Sequence, residues 1–407
     1  MIYFDNNGTT KASPEAKKAM IKWIGKPSNP SSHSKDGKDA KELIEKFKKY
    51  ILCHCGTDSS KYTVVITSGA SESNSFILTS SVRAYQKLKR KIPHIVISAI
   101  EHKSIIETCE NLHENGYVEY TMATPNKYGI IELDEVKKCL RKNTCLVSIM
   151  GANNELGSIN NIKKIGALCH SKNIPFHSDC VQLFGKYKMD ISKYNIDAMS
   201  VSFHKLYCSM GLGLLIINNK FINGYKLCAI ISGAQQGGLR GGTENIPAIA
   251  GSYAGMKINF KCRESKNIEL AKLSKYLLDK LGDAFIIVNA DNKTISSPPK
   301  SNITIKILGP ISQNDRIPNT LLISIIPKNG TFCNVKLKKY LCLHEIYISI
   351  GSACNASSPN ASHVLTAIKA TPSEKRGVVR ISFGDYNTKS EIDRFLKVFI
   401  KGILKQF

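Results

Sequence analysis

The residue in this chain best placed for covalent chemistry is a lysine at the exit of an apolar β-run. Ser200-Val201-Ser202-Phe203-His204-Lys205 reads as a buried strand that ends in an amine. Burying a cation-forming group costs energy unless it has a partner or a task. One such task is Schiff-base formation with an aldehyde cofactor, because a desolvated lysine gives up its proton easily and becomes nucleophilic. Four more segments carry polar groups at strand exits. Thr67-Ser68-Gly69-Ala70-Ser71-Glu72-Ser73-Asn74 follows a strand and opens a helix. Small residues and a hydroxyl suit a phosphate there, since free N–H groups and the helix dipole attract an anion, although the same residues also make an ordinary Ser/Glu-capped start. Glu101-His102-Lys103-Ser104 offers an imidazole that can stack on a planar ring or shuttle a proton. Ala152-Asn153-Asn154-Glu155-Leu156-Gly157 could be only a turn. In His177-Ser178-Asp179-Cys180-Val181-Gln182, a carboxylate at a buried strand end needs a donor or a cation, and a protonated pyridine nitrogen is one candidate. Each segment alone has a plain structural explanation, but no single one covers them all.

Bringing such groups together takes a sheet whose strands end along one edge. Val64–Thr67, His94–Ile100, Val118–Met122, Cys145–Met150, Pro175–Ser178, Met199–Phe203 and Leu214–Ile217 read as strands, with amphipathic stretches such as Ile77–Lys89 and Asp134–Arg141 between them. This alternation predicts βαβ units and a largely parallel sheet, and ligands of open α/β sheets bind at the strand C-terminal edge. After about Gly255 the pattern changes to a helix at Ile268–Leu281, short strands at Ser301–Ile307, Leu321–Ile325, Ile346–Ile350 and Val378–Phe383, and helices at Lys336–Leu343 and Glu391–Lys405. We expect an α/β chain with a large domain at 13–255 and a smaller α+β domain formed by 1–12 and 256–407. Ala290–Arg316 reads as an extended loop region.

Composition narrows the classes. The chain of 407 residues is 42% hydrophobic, with no run of eighteen apolar residues, so no membrane span is expected. Its start, Met1-Ile2-Tyr3-Phe4-Asp5, lacks the features of a signal peptide. With thirteen scattered cysteines and no C-x-x-C spacing, it reads as a cytoplasmic protein with reduced thiols. Cys53-His54-Cys55 lacks a second ligand pair nearby, so no metal site is expected. Lysine and arginine exceed aspartate and glutamate by 57 − 32 = +25. The basic residues are spread evenly without interleaved aromatics, which speaks against a nucleic-acid surface.

Taken with further motifs, these segments carry a resemblance. Ser28-Asn29-Pro30-Ser31-Ser32-His33, Gly238-Leu239-Arg240-Gly241-Gly242-Thr243-Glu244-Asn245, Arg316-Ile317-Pro318-Asn319-Thr320 and Gly351-Ser352-Ala353-Cys354 join the strand-end groups. The chain resembles, over nearly its whole length, the pyridoxal-phosphate-dependent cysteine desulfurases of the NifS/IscS type within the class V aminotransferase-like group. The resemblance implies a fold-type I PLP-dependent transferase with a mixed, mostly parallel sheet. It implies that Lys205 joins the cofactor and serves as a base, that Asp179 holds the ring nitrogen protonated, that His102 stacks on the ring and that Gln182 donates to the phenolate oxygen. Ser71, Ser202 and His204 are implied in phosphate binding, with Thr243 reaching across from a second subunit of a homodimer, and Ala70 and Asn154 are implied in binding the cofactor as well. Asn154 and Arg380 are implied in holding the L-cysteine carboxylate, and Cys354 in accepting sulfur as a persulfide.

Some positions depart from that pattern. Ser71 replaces threonine. Tyr207-Cys208-Ser209-Met210-Gly211 stands where Tyr-Gly-Pro-x-Gly is usual, Phe203 stands where a small residue is common and is expected to narrow the pocket, and Cys180 adds a thiol beside Asp179. The competing readings are a selenocysteine lyase or an aminotransferase of the same fold, and a non-catalytic basic protein on a degenerate version of it. The sulfur acceptor is not named by the sequence.

Overall fold

The computed structural model describes residues 1–298, 301–350 and 362–407. Its elements in chain order are β1 (Ile2–Tyr3), α1 (Pro14–Trp23), α2 (Lys35–His54), β2 (Tyr62–Thr67), α3 (Ala70–Lys89), β3 (His94–Ser98), α4 (Lys103–Glu114), β4 (Glu119–Ala123), α5 (Leu133–Cys139), β5 (Thr144–Ser148), α6 (Ile162–Ser171), β6 (Phe176–Asp179), β7 (Ala198–Ser202), β8 (Gly213–Asn218), α7 (Asn219–Tyr225) and α8 (Ile246–Gly282). They continue as β9 (Ile286–Val288), β10 (Thr294–Ser296), β11 (Ile303–Leu308), β12 (Thr320–Pro327), α9 (Asn334–Leu343), β13 (Ile346–Tyr347), α10 (His363–Ala367), α11 (Pro372–Gly377), β14 (Val378–Ser382) and α12 (Lys389–Leu404).

Seven strands form the large sheet in the order β2-β8-β7-β6-β5-β3-β4. Only β8 runs antiparallel to its neighbours, β2 and β7; the other pairs are parallel. The C-terminal ends of β2, β3, β5, β6 and β7 therefore open on the same edge. Side chains alternate across the sheet as the two-residue period requires. Val64, Ile66, Val96, Val147, Met199 and Val201 face one apolar cluster, whereas Val65, Ile95, Ile97, Leu146 and Ala198 face another. Both faces are covered, which is why these strands read as continuous apolar runs.

A five-stranded sheet, β10-β9-β11-β12-β14, forms the second layer system. Its core takes in Ile2 and Phe4 from the N-terminus beside Leu270–Leu281 and Phe395–Phe399. β1 pairs in parallel with β13, so the first residues of the chain belong with its last third.

Two expectations need correction. The helix read as Ile268–Leu281 spans 37 residues from Ile246. Its first half buries Ile246, Ile249, Met256 and Phe260 in the core of the large sheet, and its second half buries Leu270, Leu273, Leu277 and Leu281 in that of the small one. The apolar stripe changes partner along the helix, so no single period runs through it. Ala290–Arg316 is not merely a loop either, because it contains β10 and β11. Of the two, β11 falls where a strand is expected at Ser301–Ile307 and β10 is the addition; Lys306 on β11 pairs with Glu374 at 2.6 Å. Among the described residues no helix is long and apolar enough to cross a membrane.

Candidate functional site

A cavity of about 460 Å³ opens at the C-terminal edge of the large sheet. Lys205, Asp179, His102, Asn154, Gln182, Ser202, His204, Ala70, Ser71 and Arg380 all line it. Ten of the sequence-derived candidates thus meet in one place. Thr243 does not; it is exposed on the loop before α8. Cys354 lies outside the described residues.

Lys205 ends the short turn that follows β7. Its Nζ donates to the backbone carbonyls of Asn7, at 2.7 Å, and of Gly8. Among the described residues no carboxylate pairs with it directly. Burial, together with the nearby Arg380 charge, pulls its pKa down to about 8, against the opposing pull of Asp5 and Asp179. A substantial share of the amine is therefore neutral near physiological pH, the state in which lysine is a nucleophile and a base.

Asp179 ends β6 and is 4% exposed. Its carboxylate accepts from Asn74 Nδ2 at 2.9 Å and from the backbone N–H of Val181 at 3.0 Å. Both donors are neutral, which leaves the negative charge uncompensated toward the cavity. Asn74 reaches across from α3, where its Oδ1 is buried without a hydrogen-bond partner. Its amide is held from both sides, since Nδ2 also donates to Ser104 Oγ at 3.0 Å.

The N-terminus of α3 forms another wall. Gly69 is the capping residue and no side chain caps the helix, so its first N–H groups remain available to an anion. A Cβ on Gly213 would come within 2.5 Å of the Gly69 backbone, which explains a glycine at the start of β8. Glu72, in the first turn, accepts from Ser68 N at 2.7 Å and pairs with Arg240 at 2.9 Å. That pair ties the cradle to the loop that carries Thr243.

His102 caps α4, accepting from Ser104 N through Nδ1 at 3.2 Å. His204 hydrogen-bonds Thr9 Oγ1 at 3.1 Å, and burial with the charges of Lys205 and His102 lowers its pKa to about 4, so it is neutral. Gln182 Oε1 accepts from Lys186 Nζ at 3.0 Å. An ammonium or amine there fixes the amide orientation, leaving Gln182 Nε2 as the donor for the cavity. Burial and the Lys205 charge bring Lys186 down to about 7.

Arg380, on β14, comes from the small sheet. It donates through Nη1 to Asn154 O at 3.1 Å and pairs through Nη2 with Asp5 at 2.6 Å, and its Nε has no partner among the described residues. Asn7 ties the same corner together. Its Nδ2 donates to Asn154 O at 3.0 Å and Thr320 Oγ1 at 2.7 Å, and its Oδ1 accepts from Asn319 Nδ2 at 3.1 Å. Sequence reasoning assigned no role to Asn7, Gly8, Asp5, Asn74 or Lys186. The one signal for the first three was the stretch of polar residues directly after the apolar Ile2–Phe4.

Both ends of the segment containing Cys354 attach to this corner. Ser349 N donates to Arg380 O at 3.2 Å and Arg380 N to Ser349 O at 2.7 Å. At the other end, Ser362 Oγ donates to Glu155 Oε2 at 2.8 Å, and His363 Nε2 lies 2.8 Å from Glu101 O.

Three departures resolve as packing. Phe203 does not narrow the cavity; it is fully buried and its ring meets Phe47 at 5.5 Å between centroids. It opens the turn that follows β7, and its ring joins the apolar cluster that also holds Met199 and Val201. Cys208 is a core thiol whose Sγ sits 3.2 Å from Leu206 O, and burial pushes its pKa up to about 12. Cys180 beside Asp179 is likewise buried and pushed up to about 12, which makes it inert.

The aminotransferase class-V family model matches residues 2–395. The chain belongs to that family. The Clostridium botulinum cysteine desulfurase IscS is 32% identical to it, with 100% of this chain and 94% of that protein covered. A cysteine desulfurase IscS of Methanosarcina thermophila is 33% identical, covering 98% and 90%. Among solved structures, a NifS-like protein superposes with a TM-score of 0.84 at 29% identity over the full length of both chains, and a NifS-like protein from Rickettsia africae with 0.82 at 30% identity over 99% of each. The fold, a mixed sheet flanked by helices, is that of the fold-type I PLP-dependent transferases.

Proposed function

We propose that the cavity holds pyridoxal 5′-phosphate and that the chain is a cysteine desulfurase, converting L-cysteine to L-alanine and passing the sulfur to Cys354 as a persulfide. The observation that carries this reading is the pair at the strand edge: a lysine amine near its neutral point and a buried carboxylate satisfied only by neutral donors. The rest of the cavity fits the same group. The uncapped α3 N-terminus with Ser71, Ser202 and His204 suits its phosphate, Asp179 suits its ring nitrogen, and Gln182 Nε2 suits its phenolate oxygen. When bound, the cofactor supplies an electron sink conjugated to the substrate Cα.

The residues divide the work. Neutral Lys205 takes the proton from the substrate Cα and returns it elsewhere along the conjugated path. Asp179 keeps the proton on the ring nitrogen by charge. The Arg380 guanidinium, already oriented by Asp5 and Asn154 O, meets the substrate carboxylate with its planar fork. The Cys354 thiolate attacks the substrate sulfur. A sulfur–sulfur bond forms, the substrate carbon–sulfur bond breaks, and its electron pair stays with the carbon, which is then protonated to give alanine. The anchoring of residues 349 and 362–363 beside Arg380, Glu155 and Glu101 supports this role, because the intervening chain starts and ends next to the cavity. Thr243, exposed on its own protomer, would complete the phosphate site of a second copy in a homodimer. The product persulfide would supply sulfur for iron–sulfur cluster assembly or tRNA thiolation.

Anaerobic incubation with L-cysteine tests the reading directly. The wild type should release alanine and carry a labelled persulfide, and Cys354→Ala should lose the persulfide and nearly all sulfur transfer. Undiminished turnover of Cys354→Ala would point instead to an aminotransferase or a selenocysteine lyase of the same fold.

A further inference from the structure

A second cavity, of about 430 Å³, lies apart from the first between α8, β9, β10 and β11. Arg316 forms part of its wall and is 6% exposed. Its Nε and Nη1 are buried without a hydrogen-bond partner. None of its guanidinium nitrogens bonds to a carboxylate among the described residues, and burial alone pulls its pKa down to about 10, with no acidic neighbour raising it. It stays charged at neutral pH. A buried, unpaired guanidinium is strongly unfavourable, and the cavity beside it offers room for a counterion.

We propose that this second cavity is a binding site for a small monocarboxylate with an aliphatic or aromatic body, held by Arg316. The chemistry of the wall selects that class. Leu278, Ile287, Ile295, Ile307, Ile311 and Pro318 make it largely apolar. The hydroxyls that could serve a phosphate are already committed: Ser274 Oγ donates to Pro318 O at 2.5 Å and Ser296 Oγ to Gly282 O at 2.9 Å. Asp279 and Lys275, one helical turn apart on α8, both line the wall and offset each other, so the net charge of the chamber is about that of Arg316 alone. One net positive charge beside a run of apolar side chains fits one carboxylate on an apolar body.

Occupancy would be felt at the first cavity. Arg316 bridges to Ser158, and Ile317 N donates to Gly157 O at 2.8 Å. A Cβ on Gly157 would lie 3.1 Å from Arg316 Cγ. The same loop carries Asn154, whose carbonyl receives Arg380. A ligand that draws the Arg316 side chain therefore acts on the loop that orients the candidate carboxylate-binding arginine.

The test titrates the full chain with hexanoate, benzoate and inorganic phosphate, reading calorimetric binding and the melting temperature. Saturable binding of hexanoate or benzoate, with phosphate at least tenfold weaker, is expected. Arg316→Met should abolish it and should also raise the melting temperature of the ligand-free protein, because an apolar side chain replaces an uncompensated charge; a purely structural arginine would lower it. Leu278→Trp keeps the arginine but fills the chamber, and should lose carboxylate binding as well. Binding that survives both substitutions, phosphate binding as tight as hexanoate, or no saturable carboxylate binding by the wild type would each overturn the proposal.

Discussion

Lys205→Ala is expected to slow alanine formation from L-cysteine by about 10²–10⁴-fold, the range that a positioned general base contributes. The loss should come with a second, independent signature. Borohydride reduction of the wild type with pyridoxal phosphate should label the peptide that contains Lys205, and the variant should leave that peptide unlabelled. The pH profile supplies a sign to check. The amine acts as a base only when neutral, and its pKa is lowered from 10.5 to about 8. The neutral fraction therefore grows about tenfold per pH unit below 8 and levels off above it. A base-limited rate should rise along that limb and flatten near pH 8. Arg380 is one cause of the lowering, so Arg380→Met should move the limb to higher pH while weakening substrate binding. An unchanged limb would mean that another group sets the profile.

What the sequence made legible follows from how each residue reaches the site. Lys205, Asp179, His102 and Asn154 sit directly after apolar strands, and a parallel sheet brings such exits together whatever the lengths between them. Their roles could be read from neighbours within a few positions. Asn7 and Gly8 reach Lys205 across some two hundred residues of chain, and no period or spacing announces that contact. Asn74 looked like part of a helix start, and only the packing of α3 over β6 shows that its amide holds Asp179. Lys186 resembled any surface lysine until its bond to Gln182 fixed the orientation of that amide. Phe203 misled for a related reason: its place near Lys205 in sequence says nothing of which way the turn after β7 directs its ring. Helix α8 was half missed because it serves two cores in turn, and a pattern that changes partner midway is no longer a single stripe. Local periodicity was thus enough for elements with one burial surface, while long-range pairing and shared elements required the folded chain.

The isosteric change Asp179→Asn should separate catalysis from folding more sharply than any other substitution in the cavity. The carboxylate is buried and accepts from Asn74 and Val181, so an amide of the same shape must find a new arrangement of donors. One is at hand. Asn74 Oδ1 has no partner in the wild type, and a rotation of the Asn74 amide would let it accept from the new side chain, at the expense of the bond to Ser104. Stability should fall by about 1 kcal/mol, the scale of one neutral hydrogen bond, and the melting curve should stay cooperative. Activity should fall far more. Without the negative charge nothing in the described cavity holds a proton on a ring nitrogen, and losing one preorganised electrostatic contact of this kind costs about 10²–10³-fold in rate. The cofactor should still bind through the α3 cradle and Lys205, so the absorbance of the bound aldehyde should persist while alanine formation collapses. Retained turnover in a folded, cofactor-loaded Asp179→Asn protein would remove Asp179 from the mechanism and shift the burden of charge stabilisation to Gln182 and Lys186.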